Sequence, residues 1–131
     1  MQPCDELKNI VLHHYGKFDS VEQAKTITST YSLQDGVTII GNDPQEWIED
    51  RDSIMAWMKE GSSIKVNLEI QNLKAYCEGS VGWTMDRVSV RLPNGVEIPM
   101  RHTRIFHKED GGWKMVHLHA SVAVPNEKIG I

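Results

Sequence analysis

Apolar positions recur at helical spacing in the first half of the chain and at alternate positions in the second. In DELKNIVLHHY, Leu7, Ile10, Val11 and His14 stand at i, i+3, i+4 and i+7, which predicts an amphipathic helix ended by Gly16. SVEQAKTITSTY predicts a second helix, with Ser20 as its cap and Val21, Ala24, Ile27 and Tyr31 facing inward. DGVTIIG predicts a short strand. Beyond the polar loop NDPQEW, the segment RDSIMAWMKEG predicts a third helix. Asp50 or Asp52 caps it, Ile54, Trp57 and Met58 face the core, and Gly61 stops it.

From residue 66 onward the period is two. VNLEI puts Val66, Leu68 and Ile70 on one face, and then the phase flips at Gln71-Asn72 so that Leu73, Ala75 and Cys77 take over. Such a slip predicts a β-bulge, which bends a sheet. GWTMDRVSVRL, the turn PNG, VEIPMRHTRIFHK, the turn EDGG and WKMVHLHASVAV follow as hairpins. Helices first and antiparallel strands afterwards predict an α+β domain spanning residues 1–131. Its strongly bent, antiparallel or mixed sheet forms a cone whose concave face is covered by the three N-terminal helices.

Turn chemistry predicts which residues share a face. In LPNGV, Pro93 presets φ and Gly95 supplies a left-handed residue, so a three-residue loop pairs Leu92 with Val96. Trp83 then stands opposite Ile105, Thr84 opposite Arg104, Met85 opposite Thr103 and Asp86 opposite His102. Taking KEDGG as the next loop sets His107 opposite Trp113, Thr103 opposite His117 and Arg101 opposite His119. The inner face then carries Val88, Val90, Phe106, Val116, Leu118, Ala120 and Val122, interrupted by Thr84, Asp86, His102 and Arg104. The outer face carries Trp83, Met85, Arg101, Ile105, Trp113, Met115, His117, His119 and Ser121, too apolar a set for water, which predicts a homodimer interface. Pro99 is the place where a further bulge would reverse this parity.

Composition narrows the function classes. A net charge of −4 lacks the basic footprint that nucleic acid requires. No apolar run reaches the length of a membrane span, and MQPCDELKNI lacks the basic-then-apolar plan of a signal peptide. Cys4 and Cys77 are too few for a disulfide framework and predict free thiols in a reducing cytoplasm. No cofactor motif is present, so none is expected.

RHTRIFHKEDGGWKMVHLHAS resembles the closing hairpin of the SnoaL-like branch of the nuclear transport factor 2-like superfamily. It is similar above all to the association domain of calcium/calmodulin-dependent protein kinase II, through the TR-aromatic-H, DG-W-K and VH-x-H-x-S pattern. IIGNDPQEWIEDRDSI resembles the loop and third helix of small bacterial members. The resemblance implies a cystatin-like roll with a pocket on its concave side and dimers through its convex sheet. It also implies that Arg104 matches a pocket arginine that binds small carboxylates. Two further pocket arginines of that relative fall at Ala120 and near Thr84, which implies weaker anion affinity. Ketosteroid isomerases share the fold, but their tyrosine falls at Val11, their base near Ile40 and their protonated acid near His102. Their machinery is absent.

His117 and His119, two residues apart on a strand, have the spacing of metal ligands. With Thr103 and Arg101 as cross-strand neighbours they lack a third ligand and face a cation, so no metal is expected and the interface reading stands. Asp86, His102 and Arg104 are the sharper lead: Asp86 orients His102, and Arg104 fixes an anionic group. The alternative is a buried ion pair that only closes the cone. Trp47 is either a lid over the cavity mouth or a core residue anchoring the third helix. His13 and His14 divide into one exposed and one half-buried residue, and Tyr15 reaches toward the cavity without an assigned part. The acidic run Glu46, Glu49, Asp50 and Asp52 is a solvated loop and helix N-terminus, without the spacing of a calcium loop. These readings predict a small-molecule-binding domain whose ligand, polar or carboxylate-bearing, meets Trp47, Thr84, Asp86, His102 and Arg104. The alternatives are an isomerase, cyclase or hydrolase using His102 or Asp86 for proton transfer, and a structural oligomerisation domain.

Overall fold

A curved sheet of seven strands organises the computed structural model, which describes residues 1–16, 29–61 and 67–131. In chain order the elements are β1 (Gln2–Pro3), α1 (Asp5–Gly16), β2 (Thr38–Ile40), β3 (Trp47–Ile48), α2 (Arg51–Gly61), β4 (Asn67–Glu78), β5 (Val81–Arg91), β6 (Glu97–Glu109), β7 (Gly112–Val122) and α3 (Asn126–Ile129). The sheet order is β1-β4-β5-β6-β7-β2-β3, antiparallel throughout except where β2 runs parallel to β7. The helix expected over residues 20–31 lies mostly outside the described residues; Tyr31 at its end is buried, as its inward assignment requires. Among the described residues no helix is long and apolar enough to cross a membrane.

The apolar stripe of α1 supplies the core. Leu7 and Val11 are fully buried and His14 nearly so, and Asp5 and Glu6 favour the positive end of the helix dipole. The helix lies across β4 and β5, close enough that a Cβ added to Gly82 would sit 2.3 Å from Leu7 Cδ1 and 3.4 Å from Trp113 Cζ3. Ile54 of α2 is buried, and Trp57 and Met58 pack beside it.

Both sequence-predicted devices of the first hairpins are present. Register shifts in β4 between Ile70 and Asn72, so Gln71 is the extra residue, and Leu68, Ile70, Leu73 and Ala75 all reach the inner side. The loop Pro93-Asn94-Gly95 has three residues, with Leu92 N–H bonded to Val96 O at 2.9 Å and Gly95 at φ 86°. All the expected β5–β6 pairs form, and the ladder passes Ser89↔Pro99 without interruption, so Pro99 carries no bulge.

The last hairpin departs from expectation twice. Its loop is the tight pair Asp110 (φ 50°) and Gly111 (φ 80°), the left-handed dipeptide of a two-residue turn, which sets Lys108 rather than His107 opposite Trp113. A bulge then lies between Met115 and His117, leaving Val116 as the extra residue. Beyond it Ile105 faces His117, Thr103 faces His119 and Arg101 faces Ser121. Trp113 and Met115 therefore point inward, 7% and 1% exposed, and are core residues rather than part of the outer face. The bulge stabilises the fold because Trp113 and Met115 before it and Leu118 and Ala120 after it all stay dry.

Candidate functional site

Asp86 and His102 are directly paired on β5 and β6, and Arg104, two residues along β6, pairs with Thr84. All four project from the inner face. The last turn of α1 brings Tyr15 down onto them. Sequence reasoning left Tyr15 without a part, yet its hydroxyl stands at the centre of the cluster. The available signal was its position one residue after the inward His14, at the end of a helix that crosses the sheet.

The Asp86 side chain is wholly buried. Its carboxylate accepts from Arg104 Nη1 at 2.5 Å, from His102 Nδ1 at 2.9 Å and from the Tyr15 hydroxyl at 2.9 Å. Arg104 Nη2 donates to the Tyr15 oxygen at 2.8 Å, and the guanidinium lies 5.1 Å from the Tyr15 ring centre. Tyr15 Oη is also 3.1 Å from His102 Nδ1. The geometry places a proton on His102 Nδ1. Nδ1–H of His102 donates to Asp86, so it has no lone pair for Tyr15, and the tyrosine proton goes to the carboxylate instead. His102 is thereby held with a proton on Nδ1, and its Nε2 has no hydrogen-bond partner among the described residues.

Burial works against the Asp86 charge, but the His102 hydrogen bond and the Arg104 charge outweigh it and hold the carboxyl below its ordinary value. For Arg104, desolvation is outweighed by Tyr15 and Asp86, and its pKa rises further. Burial pushes Tyr15 well above the usual phenol range. The net result is one carboxylate and one guanidinium that cancel, beside a phenol that keeps its proton. The same buried cation reaches its neighbours: burial first and Arg104 second lower His14 to about 4. His14, expected half-buried, is 7% exposed and stands 3.0 Å from Thr30 Oγ1 through Nε2. Tyr31 is pushed up to about 12 by burial.

Thr84 is fully buried, and its Oγ1 has no partner among the described residues. Trp47 lies apart from this group. It pairs with Ile40 on β3, is 63% exposed and donates through Nε1 to Glu49 at 2.9 Å, so it is not the core anchor of α2. That place is taken by Trp57, whose indole bonds Glu46. A groove of about 290 Å³ lies elsewhere, between residues 31–37 and the start of α2, and none of the sequence candidates lines it.

The outer face is continuous across strands. One cross-strand row runs Tyr76, Trp83, Ile105, His117, Thr38, and the next runs Lys74, Met85, Thr103, His119, Ile40, Trp47. Past Lys74 at its rim, neither row contains an acidic or a basic Lys or Arg side chain. Met85 and Ile105 remain 36% and 37% exposed, and Tyr76 stacks on Trp83 at 6.4 Å.

This frame is shared with known structures. An NTF2-like protein from Pseudomonas putida superposes with a TM-score of 0.80 at 13% identity, over 95% of this chain and 89% of that one. A candidate dehydratase of the NTF2-like family from Streptomyces avermitilis gives 0.77 at 12% identity, over 92% and 96%. A candidate calcium/calmodulin-dependent protein kinase II association domain from Xanthomonas campestris gives 0.70 at 14% identity, over 90% and 86%. At such identities the likeness shows the fold alone. No curated protein matches the chain in sequence. A family model does: residues 18–125, which hold the whole inner-face strand cluster, match the SnoaL-like domain, and the chain belongs to that family.

Proposed function

We propose that the domain binds a small, uncharged polar molecule against the inner face and moves a proton to or from it through His102. The observation that carries this reading is the Asp86–His102 contact of 2.9 Å at Nδ1, which orients the imidazole and leaves Nε2 as the available base. Asp86 is a positioning residue, held ionised by the His102 hydrogen bond and the Arg104 charge and held in place by Tyr15 and Arg104. Thr84 Oγ1, buried and without a partner among the described residues, is suited to a ligand oxygen.

Charge favours an uncharged ligand over the carboxylate that the family resemblance implies. Both terminal nitrogens of Arg104 are already engaged, one by Asp86 and one by Tyr15. A carboxylate would have to displace a buried partner from the guanidinium, which is costly. The structural likeness to a candidate dehydratase fits proton-transfer chemistry on this frame.

The test is hydrogen–deuterium exchange, followed by NMR, at carbon positions next to the carbonyl in a panel of hydroxyketones and enones and their carboxylate analogues. The wild-type chain is expected to exchange neutral members, and His102→Gln to lose at least about a hundredfold of that rate. A His102→Gln protein as fast as wild type would exclude the imidazole as the base.

The outer face supports a second reading, that a further copy of the chain covers it. Its two rows are free of formal charge from Trp83 to Thr38 and from Met85 to Trp47, the composition of an interface centre. Residues Trp83, Met85, Ile105, His117 and His119 form this surface, now joined by Trp47 and without Trp113 and Met115. We also infer a single SnoaL-like unit working in the cytoplasm, a reading supported by the two free thiols of Cys4 and Cys77.

A further inference from the structure

Two features of the outer face concern histidines that the proton-transfer reading does not use. First, the observed register moves Arg101 away: His119 faces Thr103 and His117 faces Ile105, so no cation stands across from either imidazole. Second, His117 Nδ1 donates to the Thr38 carbonyl at 2.8 Å, which fixes the ring and leaves Nε2 without a hydrogen-bond partner among the described residues. A backbone carbonyl on the far nitrogen is the usual way a metal-binding histidine is oriented. His119 is exposed, two residues along the same face, with ring centres 6.3 Å apart. Two imidazoles on one tetrahedral zinc have ring centres about 5 Å apart, from Zn–N bonds of about 2.0–2.1 Å. Rotation of the unrestrained His119 ring closes that gap.

Within one chain the pair is incomplete. No group of three or more His, Cys, Asp or Glu is gathered for a metal among the described residues. A second copy changes the count. The two uncharged rows centre on Ile105, Thr103 and His119, and strands lie about 4.8 Å apart. A two-fold axis through the middle of this patch therefore passes within about one strand of the histidines, and an isologous contact duplicates each ligand. Four imidazoles then surround one ion, with Thr103 and Ile105 packing around it.

We infer that His117 and His119 are half of a divalent-metal site, zinc by its ligand chemistry, completed when a second copy packs on the outer face. The inference rests on the reading of that face as a contact between copies.

The experiment uses the full chain stripped with a chelator and then titrated with Zn²⁺. Native mass spectrometry reads the metal-to-chain ratio, and sedimentation velocity reads association. One zinc per two chains is expected, with the dimer dissociation constant at least tenfold lower than without metal and a tetrahedral absorption spectrum on Co²⁺ substitution. His119→Gln, an exposed and conservative change, is expected to lose all three while keeping the wild-type circular dichroism. His117→Gln provides the second variant. A dimer of equal strength with and without Zn²⁺, holding no metal, overturns the metal site and leaves the interface reading standing. A monomer under both conditions overturns both. Zinc-driven association that persists in His119→Gln places the ion elsewhere and overturns the assignment.

Discussion

Residues 83–86 alternate between two environments that share one strand. Thr84 and Asp86 point into the fold beside Arg104 and His102, and Trp83 and Met85 point out beside Ile105 and Thr103. On the inner face polar groups are abundant and, Thr84 apart, saturate one another: a carboxylate, a guanidinium, a phenol and an imidazole share one set of short hydrogen bonds. On the outer face polar groups are sparse and their capacity is unused; His117 spends one nitrogen on a backbone carbonyl, and the surrounding apolar surface stays partly in water. A saturated cluster is costly to open and serves whatever touches the atoms left unpartnered among the described residues, His102 Nε2 and Thr84 Oγ1. An unsaturated face costs little to alter within a single chain and acquires value only against a partner. The two faces should therefore respond oppositely to substitution, and that contrast can be measured.

The largest effect belongs to Asp86. Asp86→Ala strands a guanidinium that is only 5% exposed, and truncating one member of such a pair costs about 3–5 kcal/mol. Urea denaturation of variant against wild type reads this directly. A loss below about 1 kcal/mol would mean that the inner cluster is no more coupled than a surface ion pair, and the contrast between the faces would collapse.

Acid probes the inner face without mutation. His14 binds its proton near 6.5 when unfolded and at about 4 when folded, because burial and Arg104 oppose the charge. Below 6.5 the unfolded chain holds the extra proton, so stability is complete above that value and falls as pH drops toward 4. At about 1.4 kcal/mol per tenfold in affinity, the loss reaches about 3 kcal/mol. Asp86 acts in the same direction at lower pH: its folded pKa is depressed, so its contribution is present above the unfolded value and lost as pH falls through the folded one. Thermal melts of wild type and His14→Gln between pH 7 and 4 should diverge, the variant showing the shallower slope. Parallel slopes would remove His14 from the account.

How much of this was legible in the sequence differs between hairpins. The LPNGV loop sets its register through chemistry visible in the letters, so the pairing of Asp86 with His102 and of Thr84 with Arg104 could be read in advance. The phase flip at Gln71 announces its bulge in the same way. An equal flip stands in WKMVHLHA, where apolar residues occupy 113 and 115 and then 118 and 120, and it marks the bulge at Val116. It is masked because His117 and His119 make the odd positions after the bulge look purposeful too. The Asp-Gly pair also signals a tighter turn than the polar run around it suggests. Tyr15 illustrates a different limit. Its role depends on where the end of a helix lies above a sheet, a long-range fact that no local periodicity contains.

Tyr15→Phe and Gly82→Ala test the middle of the scale. The first deletes the hydroxyl that accepts from Arg104 and donates to Asp86, at about 1–3 kcal/mol for the groups left unpaired. The second forces a methyl into the space of Leu7 Cδ1, at about 1–3 kcal/mol for overpacking. They separate by mechanism. Loss of the hydroxyl removes one donor from the Asp86 carboxylate and should shift the His102 Nδ1 resonance in ¹⁵N NMR, and the glycine change should leave it as it is. Identical spectra for Tyr15→Phe and wild type would mean that the phenol packs without organising the cluster.

The smallest effect on folding is expected at Met85, immediately beside Asp86 in sequence. Met85 is 36% exposed and its neighbours Thr103 and Lys74 need nothing from it, so Met85→Ala should cost no more than about 0.5 kcal/mol in a dilute single chain. The informative arm is concentration. If a second copy covers the outer rows, the variant's melting temperature falls behind wild type as concentration rises, because only wild type gains fully from association. Ile105→Arg extends the same logic by placing a charge in the middle of the uncharged band, where it should abolish association while leaving the dilute-chain melt near wild type. A melting temperature independent of concentration in wild type and variants alike would leave the outer face a plain solvent surface. A large loss for Met85→Ala in the dilute chain would instead show that the two faces of this strand are not energetically separate.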